Sequence, residues 1–168
     1  MAPSVLEGNK VVLIKLFPLL LTLLSLACFN PEARLVEPGR SVVLPPSAVE
    51  AVLDLCSRAG PVDIEGTWLV PASVVEQLEA DLYKVSRMRS DECCLLGARV
   101  RKPGEFYRQY VGIVIEGREL IYVNAFAWPE PGWEERAVKI CDGDWDLWGV
   151  LYDPETRRFS QLAFNGSA

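Results

Sequence analysis

Histidine is missing from the 168 residues of this chain, and its absence excludes several chemistries. Unperturbed imidazole changes charge near neutral pH, and it is the base of Ser-His-Asp and Cys-His catalysis. Zinc sites of the HExxH type require it as well. These mechanisms are excluded, and the sequence contains no other recognisable catalytic constellation. It therefore favours a protein that is not an enzyme.

Basic residues are also scarce, because 17 Lys and Arg stand against 23 Asp and Glu, for a formal net charge of −6. Binding to nucleic acid is driven by clustered cations, so the sequence predicts no nucleic-acid partner. The one basic stretch, residues 87–102, is predicted to be a solvated connection. The alternative is that the basic side chains of this stretch form the rim of a surface that orients an acidic partner.

No apolar run reaches the roughly 20 residues that a transmembrane helix requires. From residue 16 to residue 28 the chain is apolar and carries no charge. This stretch follows Lys10 and Lys15 and is typical of a signal peptide. Small residues Ser25 and Ala27 predict a cut before Cys28. We therefore expect a signal peptide at residues 1–27 and a location outside the cytoplasm, in a bacterial cell envelope. An uncleaved single-span anchor is the alternative.

Cys28 would be the first residue of the mature chain, and LSLAC resembles the lipobox of bacterial lipoproteins. The match departs at Ser25, where Leu is commonest, and at Leu24, which stands one place early. Lipidation of Cys28 is thus a candidate, and the membrane is expected as a partner only through this N-terminal anchor. Residues 28–46 are rich in proline and predict a tether with one short edge strand.

The centre of the chain, residues 107–126, predicts a β-hairpin, because two runs rich in Val, Ile and Tyr flank Glu116 and Gly117. Further strands are predicted at residues 135–141, 145–152 and 158–164. A short helix is predicted at residues 47–58 and a longer one from Ser73, with Glu76 completing a capping box. The charged face of the longer helix is predicted to be solvated.

Residues 47–168 are therefore expected to form a single α+β domain. Its N-terminal helices would pack on one face of an antiparallel β-meander of about four to five strands. The nearest architecture, by analogy, is the cystatin-like grip of a curved sheet on a helix.

The cysteines predict a disulfide, because setting Cys28 aside leaves an even number for an oxidising compartment. Cys141 is expected to pair with Cys93 or Cys94, and the sequence does not decide which. A redox-active vicinal pair is the alternative. The ligand spacings of zinc and calcium sites are not met, so neither a metal nor a cofactor is predicted.

Two regions could form a working surface. Prolines stiffen the loop that contains Trp128 and Trp133, and stiff exposed aromatics are common anchors of protein interfaces. The polar end of the hairpin could instead line a pocket. The candidates for binding a ligand or partner are Arg108, Tyr110, Tyr122, Asn124, Trp128, Trp133 and Trp145.

The chain also resembles a family of uncharacterised exported bacterial proteins. The matching pieces are Trp68 with Pro71, YVGI at 110–113, IYVNAF at 121–126, CDGD at 141–144, WGVLYDP at 148–154 and FNG at 164–166. They cover residues 68–166, with Asp144 where the family turn has Gly and with Leu69-Val70 between Trp68 and Pro71. The resemblance implies an exported, compact domain and brings no activity.

These observations favour a protein-binding module of the inhibitor or immunity type, whose partner is another extracytoplasmic protein. A small-ligand-binding domain, or an enzyme that uses carboxylate, Tyr and Arg groups of the curved sheet, is the alternative. A structural envelope component is a third hypothesis.

The predicted cut before Cys28 can be tested by measuring the intact mass of the protein isolated from its native envelope. The mature chain should begin at Cys28 and gain two hydrogen atoms per disulfide on reduction. A lipid would add its own mass to the N-terminal peptide. A protein that retains residues 1–27 would contradict the predicted cut.

Overall fold

The computed structural model describes residues 39–90 and 94–167, and it has six strands and two α-helices in those ranges. The strands are β1 (Ser41–Val43), β2 (Ile64–Trp68), β3 (Tyr107–Ile115), β4 (Arg118–Phe126), β5 (Leu147–Asp153) and β6 (Arg158–Phe164). The helices are α1 (Val49–Leu53) and α2 (Ala72–Asp81). The predicted signal peptide, Cys28 and Cys93 lie outside the described residues. No helix within the described ranges has both the length and the apolar character to span a bilayer.

All six strands form one mixed sheet, so the α+β class is confirmed while the strand count differs from the prediction. Strands β3 to β6 form the expected antiparallel meander. On the other side of β3, β1 pairs in parallel with its first half and β2 antiparallel with its second half. The sheet thus begins at residue 41, inside the segment predicted to be a tether.

The predicted hairpin is confirmed, and its turn explains its register. Glu116 and Gly117 both adopt left-handed backbone angles, with φ of 50° and 69°. Two consecutive left-handed residues characterise the type I′ turn, whose twist matches that of the strands. Tyr107 consequently pairs with Phe126 and Ile115 with Arg118, without a bulge.

The two helices lie on opposite faces of the sheet, so the prediction that both pack on one face is wrong. Side chains alternate across a strand, and the two faces of β3 and β4 are both apolar. The α2 face joins Leu78 and Leu82 to Tyr110, Ile121 and other core residues. The α1 face joins Val49 and Val52 to a second cluster, with Val111, Ile113 and Tyr122. A sheet buried on both sides needs cover on both sides, and the cystatin-like layout is not confirmed.

The start of α2 also differs from its prediction. Pro71 is the N-cap, in extended conformation, and no side chain caps the helix. Ser73 lies inside the first turn, so the Ser73 and Glu76 capping box is wrong. Proline fixes a backbone angle that suits the beginning of a helix, and this places the N-cap two residues earlier than predicted.

The disulfide joins Cys56 to Cys141, so the expected pairing of Cys141 with Cys93 or Cys94 is wrong. Helix α1 ends at Leu53, whereas the helix was predicted to continue to residue 58. Cys56 therefore lies in an irregular segment that reaches Cys141. The bond spans 85 residues, which contributes roughly 4–5 kcal/mol in the chain-entropy account. Cys94 is disulfide-bonded as well, and its Sγ lies 3.0 Å from the Ser57 carbonyl oxygen.

Candidate functional site

Two predicted site residues, Tyr122 and Asn124, meet in a buried cluster on the α1 face. Arg58, from the segment after α1, donates from Nε to Tyr122 Oη over 3.0 Å and from a terminal nitrogen to Asn124 Oδ1. Its other terminal nitrogen donates to Asn165 Oδ1 over 3.0 Å. Only 7% of Arg58 is exposed. We call Arg58, Tyr122, Asn124 and Asn165 the Arg58 cluster.

The three acceptors in the Arg58 cluster are neutral oxygens. No carboxylate of residues 39–90 and 94–167 forms an ion pair with Arg58. A buried charge is costly unless hydrogen bonds replace its hydration, and here oxygens from β4 and from the residue after β6 do so. The guanidinium therefore depends on the sheet, and the sheet's buried oxygens depend on the guanidinium.

The same face carries residues 133–142, which we call the crossing segment. The Gln109 side chain accepts from Val138 N over 2.9 Å and donates to the carbonyl oxygens of Arg136, over 2.7 Å, and Trp133. Asn124 donates to Val138 O over 3.0 Å, and Asn165 donates to Ile140 O. Side-chain amides thus satisfy this backbone in place of a neighbouring strand. The predicted strand at residues 135–141 is therefore wrong.

Gly149 on β5 leaves room for the Arg58 cluster. A Cβ atom there would lie 2.2 Å from Tyr122 Oη and 3.1 Å from Arg58 Nε, so only glycine fits. The residues of the exported-family pattern that meet on this face are Tyr122, Asn124, Cys141, Gly149 and Asn165. These residues build the interior of the domain.

The space left beside the Arg58 cluster is too small for a substrate. Its cavity measures about 10 Å³ and is lined by Arg58, Asn124 and Asn165 among others. A cavity of roughly that size holds at most a single water molecule. The predicted pocket at the polar end of the hairpin is therefore filled on this face by Arg58.

The other two hairpin candidates, Arg108 and Tyr110, lie on the α2 face with Glu79, and both are fully buried. Tyr110 donates to Glu79 Oε1 over 2.6 Å, and Arg108 Nε donates to Tyr110 Oη over 2.9 Å. Arg108 also contacts both Glu79 oxygens at 3.3 Å. Burial raises the pKa of the Tyr110 hydroxyl well above its usual value, while Arg108 opposes the rise and Glu79 adds to it. Tyr110 is therefore a protonated internal donor.

Asp81 organises a second polar group on the α2 face that the sequence placed on a solvated surface. Tyr152 donates to its Oδ2 over 2.9 Å, and Arg157 binds both carboxylate oxygens at 2.8 and 3.0 Å. Lys84 Nζ lies 2.8 Å from Oδ1. Burial alone would raise the pKa of Asp81, but hydrogen bonds from Arg157, Lys84 and Tyr152 lower it below its ordinary value. The position of Asp81, three residues after Leu78, was the available signal that it faces inward.

The tryptophan candidates divide between interior and surface. Trp133 is buried, with its ring centroid 5.3 Å from that of Tyr107 and 5.8 Å from that of Phe126. Trp128 and Trp145 are exposed by 43% and 56%. Ala127 N donates to Asp146 O over 2.9 Å. Trp128 follows the donor residue in the sequence, and Trp145 precedes the acceptor residue. We call Trp128 and Trp145 the tryptophan surface.

Acidic side chains dominate the connection between β4 and β5, residues 127–146, which carries the tryptophan surface. They are Glu130, Glu134, Glu135, Asp142, Asp144 and Asp146, and all are exposed except the half-buried Asp144. No group of three or more His, Cys, Asp or Glu side chains in the described part of the chain has the geometry to hold a metal ion.

No protein-family model, curated protein or solved structure is significantly similar to this chain. The resemblance to exported bacterial proteins rests on the sequence pieces quoted above and stays a prediction.

The Asp81 group predicts a pH-dependent stability. Because the folded pKa of Asp81 is lowered, its stabilisation is fully present above the unfolded value of about 3.9 and is lost as pH falls through the folded value. Asp81→Asn should flatten the fall in the free energy of unfolding at acidic pH. Urea unfolding across that range measures it.

Asp54→Asn is the matched control, since Asp54 is an exposed carboxylate paired with Lys139. It should preserve the pH dependence of the unsubstituted chain. If Asp81→Asn and Asp54→Asn unfold with the same pH dependence, Asp81 does not have the bonded, ionised state described.

Proposed function

We propose that this chain is a non-enzymatic, extracytoplasmic protein-binding module of the inhibitor or immunity type. The tryptophan surface is its contact with the partner. One observation carries the proposal: Trp128 and Trp145 are about half exposed at the two ends of the connection between β4 and β5, next to Ala127 and Asp146, whose backbones are hydrogen-bonded. The polar candidates of the hairpin, in contrast, are internal.

Exposed tryptophans are costly to leave in water, and each offers a large apolar area to a partner. Trp145 packs edge-on against Phe164, with ring centroids 5.7 Å apart, which restricts its motion. Pro129 and Pro131 limit the backbone that follows Trp128. Aromatic anchors that are ordered before binding lose little entropy on contact, and such residues dominate the energy of many interfaces.

The charge around the tryptophan surface defines the partner's chemistry. Six carboxylates lie in the connection between β4 and β5, and the basic side chains of the same connection, Arg136 and Lys139, bond to Pro131 O and Asp54. Complementary charge speeds encounter and excludes like-charged proteins. The partner is therefore a protein with a basic rim around an apolar patch.

The small-ligand or enzymatic alternative has less support. Arg108, Tyr110, Tyr122 and Asn124 are buried and bonded to other side chains of the domain. Pockets for small molecules enclose roughly 300–1,000 Å³, far more than the cavity beside the Arg58 cluster. A larger groove at the start of β6 contains none of these four candidates.

The Cys56–Cys141 disulfide supports the extracytoplasmic part of the proposal, because disulfides persist in oxidising compartments. The predicted signal peptide agrees with it. Lipidation of Cys28 would place the module at the membrane through an anchor only.

Photocrosslinking tests this function. A photoreactive residue replacing Trp128 or Trp145, in the full chain within its native envelope, should capture the same protein from both positions. The matched control is Leu69, which is 70% exposed and lies after β2, outside the connection between β4 and β5. A photoreactive residue at Leu69 should not capture that protein.

Affinity for the captured protein gives the second measurement. Trp128→Ala and Trp145→Ala should each weaken binding by about 30-fold, equivalent to roughly 2 kcal/mol, while Leu69→Ala changes it less than about twofold. Unfolding midpoints would confirm that the variants are folded. Absence of a captured protein from both tryptophan positions, or equal capture from Leu69, would refute the proposal.

A further inference from the structure

A basic groove lies at the start of β6, at the opposite end of that strand from the contact between Phe164 and Trp145. It has a volume of about 400 Å³ and opens to solvent. The groove is lined by Lys84, Met88, Thr156, Arg157, Arg158 and Phe159. Cations stand beside an apolar floor of Met88 and Phe159, both half-buried at the margin of the main core.

Two of the three cations, Lys84 and Arg157, are held in place by Asp81. The buried carboxylate of Asp81 binds Lys84 at 2.8 Å and Arg157 at 2.8 and 3.0 Å. Lys84 also donates to Arg157 O over 3.2 Å. Arg157 adopts a left-handed φ of 56°, which non-glycine residues disfavour unless their surroundings hold them. The groove is therefore preorganised.

The charges that line the groove are positive, on a chain whose formal net charge is −6. Three cations line it and no carboxylate does, while Asp81 bonds to two of these cations and Asp153 and Glu155 lie in the adjoining turn. Arg158, which is exposed, contributes charge that Asp81 does not neutralise. A ligand for this groove must be anionic and must carry apolar groups to cover Met88 and Phe159.

Strand β6 provides a backbone edge beside the groove. Within the described sheet it pairs only with β5, and the side chains of Arg158, Ser160 and Gln161 are exposed. Over residues 158–160, before the irregularity in its pairing with β5 and the left-handed Gln161, alternate N–H and C=O groups of this edge strand point away from β5. An extended peptide can bond to such an edge and place alternate side chains on either face.

We propose that the groove and the outer edge of β6 bind an extended acidic segment of a partner protein by strand addition. Its carboxylates meet Arg158, Arg157 and Lys84, and its apolar side chains cover Phe159 and Met88. This site is separate from the tryptophan surface and selects the opposite charge. The segment that binds the groove is acidic, whereas the surface that contacts the tryptophans is basic.

Two blocked peptides test the site against the full chain by titration calorimetry. The probe is Glu-Leu-Glu-Val-Glu-Val and the control is Lys-Leu-Lys-Val-Lys-Val. The acidic peptide should bind, with an affinity that falls at least tenfold between low and high salt, because the contact is electrostatic and exposed. The basic peptide should show at least tenfold weaker binding.

Arg158→Glu should weaken binding of the acidic peptide at least tenfold. Lys139→Glu makes the same change of charge on the opposite face, at an exposed ion pair, and should change it less than twofold. Neither side chain is buried, and matching unfolding midpoints would confirm both folds.

N-methylation separates strand addition from simple charge attraction. Methyl groups on one alternate set of peptide amides should abolish binding, and methyl groups on the other set should not. Equal effects of the two sets, equal binding of both peptides, no binding at millimolar concentration, or equal effects of Arg158→Glu and Lys139→Glu would overturn the proposal. So would sedimentation showing that a second copy of the chain occupies the edge.

Discussion

The interior of the domain depends on one buried guanidinium. Arg58 binds oxygens of Tyr122 and Asn124 on β4 and of Asn165 after β6. Without it these buried acceptors would lose their hydrogen bonds, at a cost of roughly 1–3 kcal/mol each. The Cys56–Cys141 disulfide holds the chain two residues before Arg58 to the crossing segment. The crossing segment, in turn, bonds to Asn124 and Asn165.

This arrangement separates the residues that build the interior of the domain from those that we propose as contacts with a partner. The polar side chains best suited to binding or catalysis are hydrogen-bonded to one another inside the domain. They lie in the Arg58 cluster and around Glu79 and Asp81 on the α2 face. What remains at the surface is an aromatic pair amid carboxylates and a basic groove amid apolar side chains. We propose both as recognition sites, and their opposite charges suit two different contacts.

The sequence predicted the parts of the fold that local patterns determine. Alternation and turn residues indicated the central hairpin, and β6 was predicted at the residues it occupies. No strand was predicted at β2, because it is exposed along much of its length and contains Gly66, so it lacks an apolar alternation. The predicted strand at residues 135–141 failed for a different reason, since side-chain amides rather than a strand bond to its backbone.

The site was harder to predict, because its contacts join residues that are distant in sequence. Tyr122 and Asn124 were recognised as polar residues on a strand, but their partner Arg58 precedes them by 64 and 66 residues. The spacing of Cys56 and Cys141 gave no hint of their pairing, which required α1 to end early. Trp128 and Trp145 were recognised separately, and only the register of β4 and β5 brings them to one end of the sheet.

A double-mutant cycle between Arg58 and Tyr122 tests the central claim that Arg58 fills this face as an internal partner. Arg58→Met should lower the free energy of unfolding by several kcal/mol, roughly 3 or more, because it leaves buried oxygens without donors. Tyr122→Phe should cost less in the unsubstituted chain and almost nothing in the Arg58→Met background, a coupling of about 1 kcal/mol or more. Additive effects, or an Arg58→Met variant as stable as the unsubstituted chain, would contradict the account.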